Sequence, residues 1–146
     1  MKRPYAVWQV LLWIIALYHG AIGLILLGSG DQALKLAKSL AGMTLTGSPE
    51  LGIIGEIFGC YLLAFALIMA AAAWNPVKNR AAVTIGLLLF VLRVVQRVVF
   101  AEKVMTVFQI PPVNYWVYGG VVLLLGGALG VFRWKLYRDM HGTSGA

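Results

Sequence analysis

Four apolar stretches of 20 to 24 residues, at about 5–28, 51–74, 81–100 and 113–132, constrain this chain more than any other feature. An α-helix of about 20 residues, rising 1.5 Å per residue, spans the hydrocarbon of a bilayer, and a soluble domain of 146 residues does not tolerate four such runs. Helices satisfy their own backbone groups in lipid. With short connections between the runs, the expected architecture is an all-α integral membrane protein of one domain, with four transmembrane helices in an antiparallel bundle. Apolar residues make up 61% of the sequence and charged residues only 12%, which leaves no room for a separate soluble domain.

The formal net charge of +7 raises nucleic acid as a partner, but its placement tracks membrane sidedness instead. Lys2 and Arg3 precede the first run, Lys78 and Arg80 fill the second loop, and Arg133, Lys135 and Arg138 follow the last run. Only Lys35, Lys38 and Lys103 occupy the other two loops. The positive-inside rule then places both termini in the cytoplasm and makes 133–146 a basic cytoplasmic tail. Tyr5, Trp8, Trp74, Trp134 and Tyr137 fall at the inner boundary of these spans, and Tyr115 and Trp116 at the outer one, as amphipathic rings do at headgroup level. A cleaved signal peptide is the rival reading of the N-terminus; the first apolar run exceeds a signal core, and no cleavage site stands out.

The loops carry their own signals. Residues 75–80 (NPVKNR) form a tight turn opened by Asn-Pro, and residues 109–114 (QIPPVN) break the chain through two prolines. In the longer first loop, 29–50, Asp31 is placed to cap a short helix running to about residue 41. Ala33, Leu34, Leu36, Ala37, Leu40 and Ala41 fall on one arc of its wheel and Lys35, Lys38 and Ser39 on the other, the pattern of a short interfacial amphipathic helix.

Polar residues inside the spans are few and grouped. Arg93 and Arg97 lie one helical turn apart in the third run, with Gln96 on their flank; Glu56 is the only acid in the apolar segments, and His19 stands alone in the first run. On the proposed topology all five fall in the outer half, roughly 5–14 Å below the boundary. A charge at membrane depth costs about 2.5–3.5 kcal/mol on insertion scales, so a partner is expected, and Glu56 paired with Arg93 or Arg97 beside His19 is the economical solution. The remaining positive charge could recruit a lipid phosphate, an anionic substrate or the carbonyl of a quinone-like ring. Tyr18, Cys60, Tyr61 and Phe90 are placed to line such a pocket. The competing reading makes the arginines purely structural, paired or snorkelling, and His19 a helix-to-helix hydrogen bond.

Enzyme signatures are missing. One cysteine permits neither an internal disulfide nor a Cys-x-x-Cys redox motif, a lone membrane histidine cannot build a bis-histidine haem site, and there is no metal-ligand cluster or P-loop. The expectation is a protein that is not an enzyme by itself and holds no metal. Gly20 and Gly23, Gly52, Gly55 and Gly59, and Gly119, Gly120, Gly126, Gly127 and Gly130 permit close backbone approach, within the chain or toward a second copy or a partner of a membrane complex.

The run 55–63 (GEIFGCYLL), followed by small residues, a turn and Arg80-Ala81-Ala82, resembles the pattern of DoxX-like proteins. That resemblance implies a small four-helix protein of the bacterial inner membrane, in a family associated with quinone-linked sulfur oxidation or oxidative-stress complexes. Glu56 and Gly59 carry over; the Arg93-x-x-Gln96-Arg97 cluster is not part of the pattern. Three function classes fit. The leading one is an accessory or scaffold subunit of the membrane. The second is a quinone- or lipid-binding subunit of a redox complex, with Arg93 and His19 on a ring carbonyl or headgroup. The third is a small transporter or channel protomer, against which Gln9 counts, being the main polar residue of the inner half.

Overall fold

The computed structural model describes residues 5–28, 30–44 and 48–141, and the elements within them are helical: α1 (Ala6–Gly28), α2 (Gly30–Ala41), α3 (Pro49–Trp74), α4 (Arg80–Val99), α5 (Ala101–Val107) and α6 (Pro112–His141). Lys2, Arg3 and residues 142–146 of the expected tail lie outside the described residues. Four helices are long and apolar enough to cross a membrane, over Ala6–Gly28, Glu50–Trp74, Arg80–Val99 and Pro112–Met140.

Local chemistry sets the boundaries. Ser48 accepts the Leu51 N–H through its hydroxyl at 3.3 Å, and Pro49, which lacks an N–H to leave unsatisfied, opens α3. Asn75 ends α3: its side-chain carbonyl accepts the Lys78 N–H at 3.0 Å, while Asn79 ties the turn back by donating to Ala71 O at 2.7 Å. The N–H of Gly42 caps α2 on Lys38 O at 3.0 Å with φ at +66°, a left-handed conformation that side chains disfavour.

Three features differ from the sequence expectation. The last helix continues past residue 132 to His141, because Phe132 and Leu136 stay in the core one turn apart while Arg138 stacks on the exposed Trp134 ring at 4.9 Å. The short helix α5 was not foreseen; seven residues of mixed polarity give no periodic signal. The helix of the first loop is present, with Lys35, Lys38 and Ser39 exposed and Ala33, Leu34, Leu36 and Ala37 half-buried. It packs on α3 and α1. It starts at Gly30, so Asp31 sits in its first turn rather than at the cap.

α1 lies along α3, α4 along α6, and α3 against α4. The first pair meets at two glycines: a Cβ on Gly59 would stand 2.9 Å from Gly23 O, and one on Gly23 would stand 3.0 Å from Gly59 O. The core runs through Leu12, Ile15, Met69, Val83, Phe90, Leu129, Phe132 and Leu136. At one end of the molecule Trp8 stacks on Phe132 at 5.1 Å, Gln9 donates to Ala73 O at 3.0 Å and Arg133 donates to the Thr84 hydroxyl at 2.8 Å. At the other, Asn114 donates to Ala41 O at 3.2 Å and Thr44 donates to Gln109 at 2.7 Å. Large apolar side chains cover the outside, Val7 and Trp74 being 79% exposed and Leu124 74%. Such a surface suits hydrocarbon and not water.

Candidate site in the cleft between α3 and α4

A cleft of about 680 Å³ opens between α3 and α4. One wall is Phe58, Tyr61, Leu62, Ala64, Phe65 and Ile68, successive turns of one side of α3; the other is Leu89, Phe90, Leu92, Arg93, Gln96 and Arg97 of α4, and His19 of α1 closes the back. Helical spacing explains the grouping, since residues three and four apart share a face.

His19 is the buried polar residue of the group. It is 3% exposed. Its Nδ1 lies 2.8 Å from Ile15 O and its Nε2 3.5 Å from an Nη atom of Arg93. A backbone carbonyl only accepts and a guanidinium only donates, so the tautomer that satisfies both contacts is the neutral ring with its proton on Nδ1 and Nε2 bare. Three rings meet it edge-to-face, Phe65 at 4.8 Å, Tyr18 at 5.3 Å and Phe90 at 6.2 Å. In that tautomer both ring nitrogens have a partner, and the imidazole orients Arg93.

Arg97 is held from the other side. It donates to Tyr115 O at 3.0 Å and lies 4.9 Å from the centroid of that ring, while the Tyr115 hydroxyl donates back to Arg97 O at 2.8 Å. This couples the last turns of α4 to the first turn of α6, and Tyr115 itself is buried. The sequence placed Tyr115 only at a membrane boundary; its role becomes visible once α4 and α6 are adjacent.

The expected ion pair is replaced. Glu56 is exposed on α3 and outside the cleft, and among the described residues neither arginine meets a carboxylate. Both guanidinium groups use neutral acceptors, an imidazole nitrogen and a backbone carbonyl, so two positive charges stand at the cleft where the sequence suggested one. Of the other expected residues, Tyr61 and Phe90 line the cleft, Tyr18 does not line it but packs on the His19 ring, and Cys60 is an exposed free thiol that does not line it. Phe58, Leu62 and Phe65 were missed. Their signal was the i, i+4, i+7 spacing along α3, which a helix apolar on nearly every side hides.

Among the described residues, no group of three or more His, Cys, Asp or Glu is placed to hold a metal ion. What remains is an apolar trough with two cations at one end, the chemistry of a site for an amphiphile. No family model matches the chain, and no match was found among curated proteins or solved structures.

Proposed function

We propose that this protein is an accessory integral membrane protein that holds a lipid or quinone-like amphiphile in the α3/α4 cleft. The observation that carries the reading is the setting of Arg93: its only described hydrogen-bond partner is neutral His19, at 3.5 Å, in a cleft whose remaining walls are largely apolar. A guanidinium kept in apolar surroundings without a counter-charge is costly, which favours a ligand that supplies acceptors. In this reading the four long helices span the membrane as an antiparallel bundle, supported by the contacts of Gln9 with Ala73 and of Arg97 with Tyr115, which join the start of one helix to the end of another. The charge bias supports cytoplasmic termini, and the α3 run 55–63 supports a DoxX-like protein of a bacterial inner membrane. A scaffold role toward a membrane-complex partner or a second copy is compatible with an occupied cleft.

Crosslinking in the membrane tests the proposal. Benzoylphenylalanine in place of Phe65, in the cleft, should capture one defined small molecule, whereas the same residue in place of Leu124, on the outer face of α6, should capture the bulk lipid mixture. An identical mixture at both positions would refute the proposal.

A further inference from the structure

Resting on that reading, we infer that the amphiphile held in the cleft carries a phosphate head, seated at Arg93 and Arg97, with its hydrocarbon chain along Phe58, Leu62 and Phe65. Charge is the first ground. Two guanidinium groups one turn apart on α4 face one cleft, and their described partners, His19 Nε2 and Tyr115 O, are both neutral. A quinone carbonyl would satisfy one N–H but leave both charges standing; a phosphate supplies the opposite charge and several acceptor oxygens, matched to the planar fork of arginine. Each arginine spends one of its five N–H donors on its described partner. The rest have no partner among the described residues.

Neighbouring space is the second ground. Gln96 lines the main cleft and two smaller hollows, one of about 100 Å³ shared with Arg97 and Tyr115, the other of about 260 Å³ lined by Phe100, Lys103 and Phe108. Arg93, Arg97 and Lys103 thus border, in turn, three hollows that share Gln96 as a wall and follow α4 to its end. A series of cations bordering apolar space suits an anionic head drawn in from the membrane boundary with its tail lying in the trough. His19 is a positioning residue: it fixes the Arg93 guanidinium without contributing a charge of its own.

The test uses the full chain in detergent and native mass spectrometry, titrated separately with phosphatidic acid, phosphatidylglycerol, phosphatidylcholine and a short-chain benzoquinone. The expected result is at least tenfold tighter binding of one or both anionic lipids than of phosphatidylcholine or the quinone. Preference for phosphatidic acid identifies a phosphate monoester, and equal binding of the two a phosphate diester or monoester alike. Arg93→Gln and Arg97→Gln should each abolish that preference, with helicity by circular dichroism unchanged, while Lys135→Gln at the opposite end of the molecule leaves it intact. A photoreactive group on the lipid tail should label the peptide containing Phe58 and Phe65. Quinone binding equal to or tighter than that of the phospholipids would overturn the phosphate head while leaving the cleft as a binding site. Binding of none of the four probes would overturn both.

Discussion

His19 and Arg93 form a one-way hydrogen bond: the guanidinium donates to Nε2 at 3.5 Å because Nδ1 is committed to Ile15 O at 2.8 Å. This polarity is testable without knowledge of the ligand. With ¹⁵N-labelled histidine, solid-state spectra of the reconstituted protein should show His19 neutral and protonated at Nδ1 at pH 7. Protonation at both nitrogens would remove the acceptor from Arg93 and contradict the geometry.

The charge assignment predicts independence of Glu56 and Arg93. Because Glu56 is exposed and outside the cleft, Glu56→Gln should change stability by less than about 0.5 kcal/mol, and its effect should add to that of Arg93→Met in a double-mutant cycle measured by unfolding in mixed micelles. A coupling of about 1 kcal/mol or more would restore the ion pair suggested by the sequence.

Tyr115 contributes to Arg97 in two separable ways. Tyr115→Phe removes the hydroxyl bond to Arg97 O and should cost about 0.5–1.5 kcal/mol; Tyr115→Leu also removes the ring beneath the guanidinium and should cost about a further 0.5–2 kcal/mol. Equal losses for the two variants would mean that the ring contact contributes nothing.

Close packing between α1 and α3 predicts a contrast among glycines. Gly59→Ala should destabilise by about 1–3 kcal/mol, since its Cβ would meet Gly23 O at 2.9 Å, whereas Gly120→Ala, with nothing within 4 Å, should be neutral or slightly stabilising. In lipid the hydrophobic effect does not hold helices together, so such contacts weigh more than apolar area. Similar losses at the two positions would place the helix contact elsewhere.

Much of this was legible in the sequence, for physical reasons that differ from element to element. The long helices announce themselves because length and apolarity suffice, and α2 because Lys35 and Lys38 fall opposite Leu34 and Leu36. The end of α6 was not, because Arg133, Lys135 and Arg138 look like a terminus until Phe132 and Leu136 are seen packing on the same side. At the cleft, His19, Arg93, Gln96 and Arg97 stood out as rare polar residues in apolar runs. Their partners did not. Charge bookkeeping selects the nearest acid, Glu56, whereas the fold uses an imidazole nitrogen and a backbone carbonyl, and a backbone acceptor leaves no trace in a list of side chains.

The most direct test of the central claim is the mass of the protein as it leaves its membrane. Gently extracted wild-type protein examined by native mass spectrometry should carry one bound amphiphile, and Arg93→Gln, extracted the same way and equally helical, should be bare. A bare wild-type protein, or the same adduct on both proteins, would contradict a ligand site built on Arg93 in the α3/α4 cleft.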